Sequence, residues 1–189
     1  MNLDAGPEPV TPFVAPAATL DAFLAVIGTR AFRFAELGLR SRDDALDAVQ
    51  DAMMKMLAYR ERPALEWTPL FWSILRSRIV DTQRRRTFRL RWLSFDGLKA
   101  DTDGREDTID WADGAPDPAR THEGREAYGK FAVALQTLPR RQREAFSLRV
   151  LEELDVADTA RAMGCSEGSV KTHLSRARDA LQKQLEDWR

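Results

Sequence analysis

Apolar residues recur at steps of three and four along most of the chain, which is the spacing of one face of an α-helix. The first stretch with this pattern carries a single stripe, formed by Phe23, Leu24, Ile27, Ala31 and Phe34. The pattern continues to about Leu93, returns at Glu123 and divides there into about four short helices. No stretch has the two-residue alternation of a strand, so the sequence predicts an all-α protein.

Local signals predict where the helices begin. Ser41 is an expected N-cap, and Asp43 and Asp44 fall in a first turn, where the helix dipole favours acids. A third helix is expected to begin near Thr68, with Pro69 tolerated in its first turn. In the helix after Ser41, the buried stripe is predicted to consist of Leu46, Val49, Met53 and Met56.

The chain changes character between the two helical parts. Glycine and proline interrupt it there, and eight acidic residues stand against two basic ones between Asp96 and Asp117. This composition predicts an extended linker. The Pro- and Ala-rich residues 1–18 predict a disordered tail and lack the basic start of a signal peptide. We therefore predict two small helical domains, residues 19–94 and 123–189, joined by an acidic flexible linker at residues 95–122.

The net charge of −1 argues against a nucleic-acid-binding protein, but the distribution of charge favours one. Seven arginines and one acid lie between Arg76 and Arg91. Arginines contact phosphates, and aromatic rings interleaved with them offer faces on which unpaired bases can stack. The aromatic candidates are Trp67, Trp72, Phe88 and Trp92. For Trp72, a place in the core is an equally good interpretation, because Leu75 and Ile79 continue its stripe.

The C-terminal part contains the strongest motif. The segment LDVADTARAMG predicts a short helix that ends at Gly164, and Ser166 caps the next helix. A short helix, a tight glycine turn and a second helix form a helix-turn-helix, whose second helix can enter the major groove. Its apolar face is predicted to consist of Val170, Leu174, Ala177 and Leu181. Its polar face carries the candidate DNA-binding residues Lys171, Thr172, Ser175, Arg176 and Arg178.

Composition excludes several classes of protein. No apolar run approaches the ~20 residues that a membrane-spanning helix needs. One cysteine excludes an internal disulfide, and two histidines without CxxC or HExxH spacing are too few for a histidine-based metal site. No nucleophile–base pair or phosphate-binding glycine loop is present. We therefore expect a cytoplasmic protein that is not an enzyme and holds no metal or cofactor.

The segment LPRRQREAFSLRVLEELDVADTARAMGCSEGSVKTHLSRARDAL resembles the fourth region of bacterial sigma factors of the extracytoplasmic-function group. The resemblance implies that the second helix of the motif reads the minus-thirty-five promoter element. Two residues depart from the family's pattern. Thr159 replaces a common aliphatic residue, and His173 occupies a position that is often arginine.

The segment FWSILRSRIVDTQRRRTFR is similar to the family's second region, which recognises and melts the minus-ten element. The residues that this resemblance implies for minus-ten contacts are Trp67, Arg76, Ser77, Arg84, Arg85 and Arg86. Ser77 stands where many relatives carry asparagine. The loop YRERPALEWTP lies where the family forms a pocket for a flipped base.

The segment DALDAVQDAMMKML matches the family's core-binding helix. The resemblance implies that its outward residues dock on the clamp coiled coil of the largest polymerase subunit. These residues are Asp47, Gln50, Asp51, Met54 and Lys55, and an exposed methionine among acids suits an interaction patch. A plain solvated acidic face is the alternative interpretation of the same residues.

The resemblance implies a sigma factor that binds core RNA polymerase through its beta and beta-prime subunits. It would direct the enzyme to promoters and assist melting, in contact with double- and single-stranded promoter DNA. An anti-sigma protein is a further partner consistent with the family. The acidic linker would run through the polymerase cleft or act as a passive tether. Two rivals stay open: a stand-alone helix-turn-helix regulator, and a nucleic-acid enzyme with Asp47 and Asp51 as metal ligands.

Overall fold

The structure, a computed structural model, describes residues 19–95 and 122–186, with side chains for residues 19–88 and 129–186. The predicted tail lies outside the described residues, as does the predicted linker apart from its two end residues. The described residues form helices and no strand, which confirms the predicted all-α fold. None of the described helices is both long enough and apolar enough to span a bilayer.

Three helices form an N-terminal bundle, in which each helix packs against the other two. They are α1 (Leu20–Leu39), α2 (Arg42–Met56) and α3 (Ala64–Phe95), and a 3₁₀ turn at Leu57–Tyr59 follows α2. Ser41 caps α2 as predicted, because its Oγ accepts a hydrogen bond from the backbone N–H of Asp44 at 3.3 Å. Between α1 and α2 the chain turns at Arg40, which adopts a left-handed conformation with φ 53°.

The predicted start of the third helix was wrong by about one turn. Helix α3 begins at Ala64 rather than near Thr68, so half of the expected loop is helical. Pro63 makes this earlier start possible, since its carbonyl accepts the N–H of Glu66 at 2.9 Å. Pro69 then lies in the second turn, where its missing N–H removes only one of the earliest hydrogen bonds of the helix.

The predicted stripe of α2 was wrong at Leu46, which is 49% exposed. Val49 and Met56 are buried as predicted, and Met53 is partly buried. Three alanines occupy the other buried positions of α2. These fully or nearly fully buried alanines are Ala45, Ala48 and Ala52.

Four helices form a C-terminal bundle, in agreement with the predicted number. They are α4 (His122–Thr137), α5 (Arg140–Phe146), α6 (Val156–Met163) and α7 (Glu167–Glu186), and α5 continues as a π-helical turn at Ser147–Leu151. Helix α7 packs against α5, α6 and α4, so it forms the centre of this bundle.

The two bundles pack against each other rather than standing apart. Helix α6 lies along α3, and buried residues of both bundles belong to one hydrophobic cluster. Leu37 of α1 enters a second cluster with Leu135, Leu138 and Phe146 of the C-terminal bundle. The sequence predicted two domains but contained no signal for this contact.

Candidate nucleic-acid interface

Helix α7 presents the polar face that the sequence predicted. Its N-terminus is held by Ser166, whose Oγ accepts the backbone N–H of Ser169 at 3.2 Å. Val170, Ala177 and Leu181 are buried and Leu174 is partly buried, so the predicted apolar face is confirmed. All five predicted DNA-contact residues of this helix are exposed: Lys171, Thr172, Ser175, Arg176 and Arg178.

The turn that leads into α7 has the geometry of a helix-turn-helix. Gly164 ends α6 with φ 60°, a left-handed conformation that glycine adopts without steric cost. Thr159, the residue that departs from the family's aliphatic pattern, is fully buried in α6. Its Oγ1 donates to the carbonyl of Asp155 at 2.7 Å, so the buried hydroxyl is satisfied and the helix packs without loss.

The arginines of α3 divide into two groups. Arg84 and Arg85 are exposed, and the contact of Arg84 with Asp81, at 4.0 Å, is at the limit of an ion pair. Among the described residues, Arg85 makes no hydrogen bond or ion pair that would hold it. By contrast, Arg86 donates to the carbonyl of Leu39 at 3.2 Å. The two outward arginines are therefore the ones available to a phosphate.

Arg76 does not lie on the predicted DNA face. Its Nε donates to Oε2 of Glu144 at 2.9 Å, and its side chain is only 15% exposed. The guanidinium is thus occupied by a carboxylate of the C-terminal bundle, and in this arrangement it cannot reach DNA. Ser77, the next residue, is exposed.

Trp67 is likewise not available for stacking on bases. It is 6% exposed and packs on Phe23, with ring centroids 5.9 Å apart. Trp72 is fully buried and meets Phe34 edge to face at 5.2 Å, which confirms its place in the core. Phe88 is 71% exposed and lies beside the outward arginines in sequence. The side chain of Trp92 lies outside the described residues.

The early start of α3 explains the burial of Trp67. Once the helix begins at Ala64, Trp67, Phe71 and Leu75 follow one another at intervals of four residues and share a face toward α1 and α2. This spacing is present in the sequence, but it was not recognised because residues 59–69 were predicted to form a loop. The expected flipped-base loop is therefore reduced to a short turn after Tyr59, where Arg62 lies over the Tyr59 ring at 5.6 Å.

The outward face of α2 is a mixed apolar and acidic surface. All five predicted core-binding residues are exposed: Asp47, Gln50, Asp51, Met54 and Lys55. Met54 is 63% exposed, and the unexpected exposure of Leu46 adds a second apolar side chain to the same helix. Arg78 of α3 lies 3.7 Å from the Asp51 carboxylate at the edge of this surface. Within the described ranges, no three or more His, Cys, Asp or Glu residues converge on a possible metal position.

Sequence reasoning missed a group of charged residues between the bundles. Arg30 of α1 lies with Nε 2.7 Å from Oε2 of Glu152, whose side chain is only 7% exposed. Burial raises the pKa of Glu152, and the charges of Arg30 and Arg33 only partly oppose this effect. Burial also lowers the pKa of Arg143, which donates to the carbonyl of Gln136 at 3.0 Å. Arg30 and Glu152 are 122 positions apart in sequence, so no local pattern could have revealed their contact.

Comparison with known proteins shows a consistent set of relatives. A family model described as "Sigma-70, region 4" matches residues 128–181. ECF RNA polymerase sigma factor SigM of Mycobacterium tuberculosis is 31% identical over 157 residues, which cover 81% of this chain and 70% of that protein. ECF RNA polymerase sigma factor SigF of Caulobacter vibrioides is 31% identical over 145 residues, which cover 75% of this chain and 71% of that protein.

Two solved structures share the architecture. The sigma factor RpoE, determined in complex with the anti-sigma factor NepR from Bartonella quintana, aligns with a TM-score of 0.64 and 25% identity. That alignment covers 88% of this chain and 96% of RpoE. CnrH, determined in complex with the cytosolic domain of CnrY, has a TM-score of 0.58 at 17% identity, and the alignment covers 89% of this chain and 88% of CnrH. The second likeness concerns the fold alone.

Proposed function

This chain belongs to the family of ECF RNA polymerase sigma factors, and we propose that its two bundles divide promoter recognition between them. As a sigma factor it binds core RNA polymerase, directs the enzyme to specific promoters and assists DNA melting. We assign residues 19–94 to region 2 and residues 123–189 to region 4, with residues 95–122 as the linker. The family is not an enzyme family, and promoter recognition requires no catalytic residue of this chain. We place the protein in the cytoplasm, where it meets the core enzyme.

Docking on core polymerase is assigned to the outward face of α2. The observation that carries this assignment is the exposure of Met54 and Leu46 on a helix face that also presents Asp47 and Asp51. An exposed methionine among acids suits an interaction patch better than a plain solvated face. The acids suit a partner with positive charge, and the apolar pair supplies area that loses water on contact.

Charge reversal of this face tests the docking assignment. Asp47→Lys with Asp51→Lys should weaken binding of purified core polymerase by at least tenfold in a fluorescence titration, because both carboxylates are exposed. The ion pair of Asp51 with Arg78, at 3.7 Å on the surface, contributes little to stability. A matched control, Asp21→Lys with Glu61→Lys, makes the same change in charge at exposed positions elsewhere in the N-terminal bundle. Equal affinity of the two double variants would refute docking through α2.

Minus-thirty-five recognition is assigned to α7 and minus-ten recognition to α3. On α7 we propose Lys171, Thr172, Ser175, Arg176 and Arg178 as the contact residues, supported by their common exposure. On α3 we propose Ser77, Arg84 and Arg85 as the contacts in the open promoter. Arg76 and Arg86 can join them only after leaving the carboxylate and the carbonyl that they hold in this structure.

An anti-sigma protein is a further partner that we propose. RpoE and CnrH, the two similar solved structures, were determined in complex with NepR and with the cytosolic domain of CnrY. A stand-alone helix-turn-helix regulator is the rival function, and it accounts for α7 equally well. It leaves the exposed apolar and acidic face of α2 without a role, which is why we prefer the sigma factor.

A further inference from the structure

A cavity of about 280 Å³ lies between α1, α4 and the π-helical turn that follows α5. None of the residues proposed to contact promoter DNA or core polymerase lines it. Its volume is close to the lower end of the roughly 300–1,000 Å³ of small-molecule pockets. At the ~30 Å³ that a water molecule takes up in the liquid, the cavity has room for about nine non-hydrogen atoms. It is therefore large enough for a small organic ligand.

The lining of the cavity changes from charged to apolar along α1. Arg30 and Arg33 line it first, and Phe34 and Leu37 line it toward the C-terminal end of the helix. These residues are spread over two turns of helix, or about 10 Å at ~1.5 Å per residue. The apolar part continues on α4 with Leu135, which is 2% exposed. A ligand that matches this lining has one charged end and one apolar end.

The charged end of the cavity has a net positive charge. Arg30 is already paired, because its Nε lies 2.7 Å from Oε2 of Glu152. Arg33 is half-buried and forms no hydrogen bond or ion pair with the other described residues. Burial raises the pKa of Glu152, and the charges of Arg30 and Arg33 act against this rise, which places Arg33 near the same carboxylate. A half-buried cation without a counter-ion is unfavourable, so this end of the cavity suits an anion.

The π-helical turn at Ser147–Leu151 accounts for the position of Glu152. The backbone N–H of Glu152 donates to the carbonyl of Ser147 at 2.9 Å, a bond that spans five residues instead of the four of an α-helix. As a result Ser147, Leu151 and Glu152 all line the cavity. The Ser147 hydroxyl is buried and forms no hydrogen bond with the described residues. Turns of this type are frequent at functional sites.

We propose that this cavity binds a small amphipathic carboxylate, with its carboxylate on the guanidinium of Arg33 and its apolar chain between Phe34, Leu37 and Leu135. A guanidinium can donate two parallel hydrogen bonds to a carboxylate, and the chain loses contact with water as it enters the apolar part. One unpaired arginine balances one negative charge, which favours a monocarboxylate over a phosphate. This binding site goes beyond the proposed function, since it involves neither promoter DNA nor core polymerase.

Calorimetric titration of the full-length chain with octanoate tests the proposal. Octanoate has an eight-carbon chain that matches the size of the cavity, and we expect one saturable site with a Kd below about 1 mM. The alcohol 1-octanol has the same chain without the charge and should bind at least tenfold more weakly. Absence of saturable octanoate binding, or equal affinity for octanoate and 1-octanol, would overturn the proposal.

Substitution of Arg33 tests the contact with the carboxylate. Arg33→Gln should weaken octanoate binding at least tenfold and leave 1-octanol binding unchanged, because only the charged contact is lost. The matched control Arg60→Gln removes an exposed arginine of the same bundle and should bind octanoate as the unmodified protein does. Circular dichroism checks that both variants fold. Equal octanoate affinity of the two variants would contradict the assignment of Arg33.

A substitution that fills the cavity tests the place of the apolar chain. Ala132→Leu adds volume at a lining position and should abolish binding of both octanoate and 1-octanol. The matched control Ala157→Leu makes the same change at an exposed position of α6 and should bind both. Retained octanoate binding in a folded Ala132→Leu variant would place the ligand at a surface arginine only and reject the cavity.

Methyl NMR spectra give an answer in the unmodified protein that does not depend on the folding of a variant. Octanoate should shift the methyl signals of Leu135 and Leu151, which line the cavity, and leave those of Leu185 on α7 unchanged. Equal shifts at all three leucines would indicate binding without a defined site and overturn the proposal. The samples contain neither polymerase nor DNA, so failure of this proposal leaves the sigma-factor assignment untouched.

Discussion

The two helices that we propose to contact DNA, α7 and α3, differ in how much of their surface packs against other helices. Helix α7 buries one stripe and leaves its polar face free, so all five of its predicted contacts are exposed. Helix α3 packs on α1, α2 and α6, and so its arginines are partly consumed by contacts inside the protein. The comparison shows that an arginine in a basic segment can contact DNA only if no other helix packs against the side of the helix that carries it.

The largest expected effect is the difference in stability between a variant of a buried aromatic residue of α3, Trp67, and a variant of an exposed one, Phe88. Trp67→Ala should destabilise the N-terminal bundle by about 3–5 kcal/mol, because it opens a cavity beside Phe23. Phe88→Ala should leave stability nearly unchanged, since its side chain is 71% exposed, and should weaken binding of single-stranded DNA. Urea unfolding of both variants measures the difference. Equal stability of the two variants would mean that Trp67 is not a core residue.

The next effect concerns the outward arginines of α3. Arg84→Ala with Arg85→Ala should lower open-complex formation about 10-fold to 100-fold, as expected for the loss of charge-assisted contacts worth about 1.5–3 kcal/mol. Closed-complex binding should fall much less, because these side chains are proposed to hold separated strands. Permanganate footprinting reports melting, and a gel-shift assay reports closed binding. Parallel loss of both would make the two arginines general phosphate contacts.

The smallest expected effect distinguishes base recognition by Arg176 from phosphate contact by Lys171, both on α7. Arg176→Ala should cost roughly 1–3 kcal/mol of discrimination at one base pair of the minus-thirty-five element, because arginine can bind guanine through two hydrogen bonds. Lys171→Ala should weaken binding to all sequences about equally and flatten its salt dependence. Selection from a randomised promoter library measures both. An unchanged preferred sequence in Arg176→Ala would show that the recognition face lies elsewhere on the helix.

The sequence was most informative where structure is local. The caps at Ser41 and Ser166, the glycine turn at Gly164 and the two faces of α7 follow from residues a few positions apart, and the structure confirms them. The predicted start of α3 was too late because Pro63 and Pro69, which lie close together in sequence, are typical of a loop. Once the helix is extended to Ala64, the burial of Trp67 follows from ordinary helical spacing.

The contact between the bundles was beyond the reach of sequence reasoning. Arg76 and Glu144 lie 68 positions apart, and Arg30 and Glu152 are 122 positions apart. A single sequence does not indicate which arginine of a basic segment forms an ion pair with which distant acidic residue. The same residues, in the same helical register, are compatible with an open protein in which Arg76 and Arg30 face solvent. The packing of α6 on α3 and of Leu37 on the C-terminal bundle distinguishes the two arrangements.

Run-off transcription with purified core polymerase on a promoter library tests the sigma-factor assignment most directly. With this chain added, we predict transcripts that begin at fixed distances from two shared elements, and none from the core enzyme alone. The double variant Asp47→Lys with Asp51→Lys should lose these transcripts, whereas Asp21→Lys with Glu61→Lys should retain them. Sequence-specific DNA binding without polymerase-dependent initiation would contradict the assignment and identify a stand-alone helix-turn-helix regulator instead.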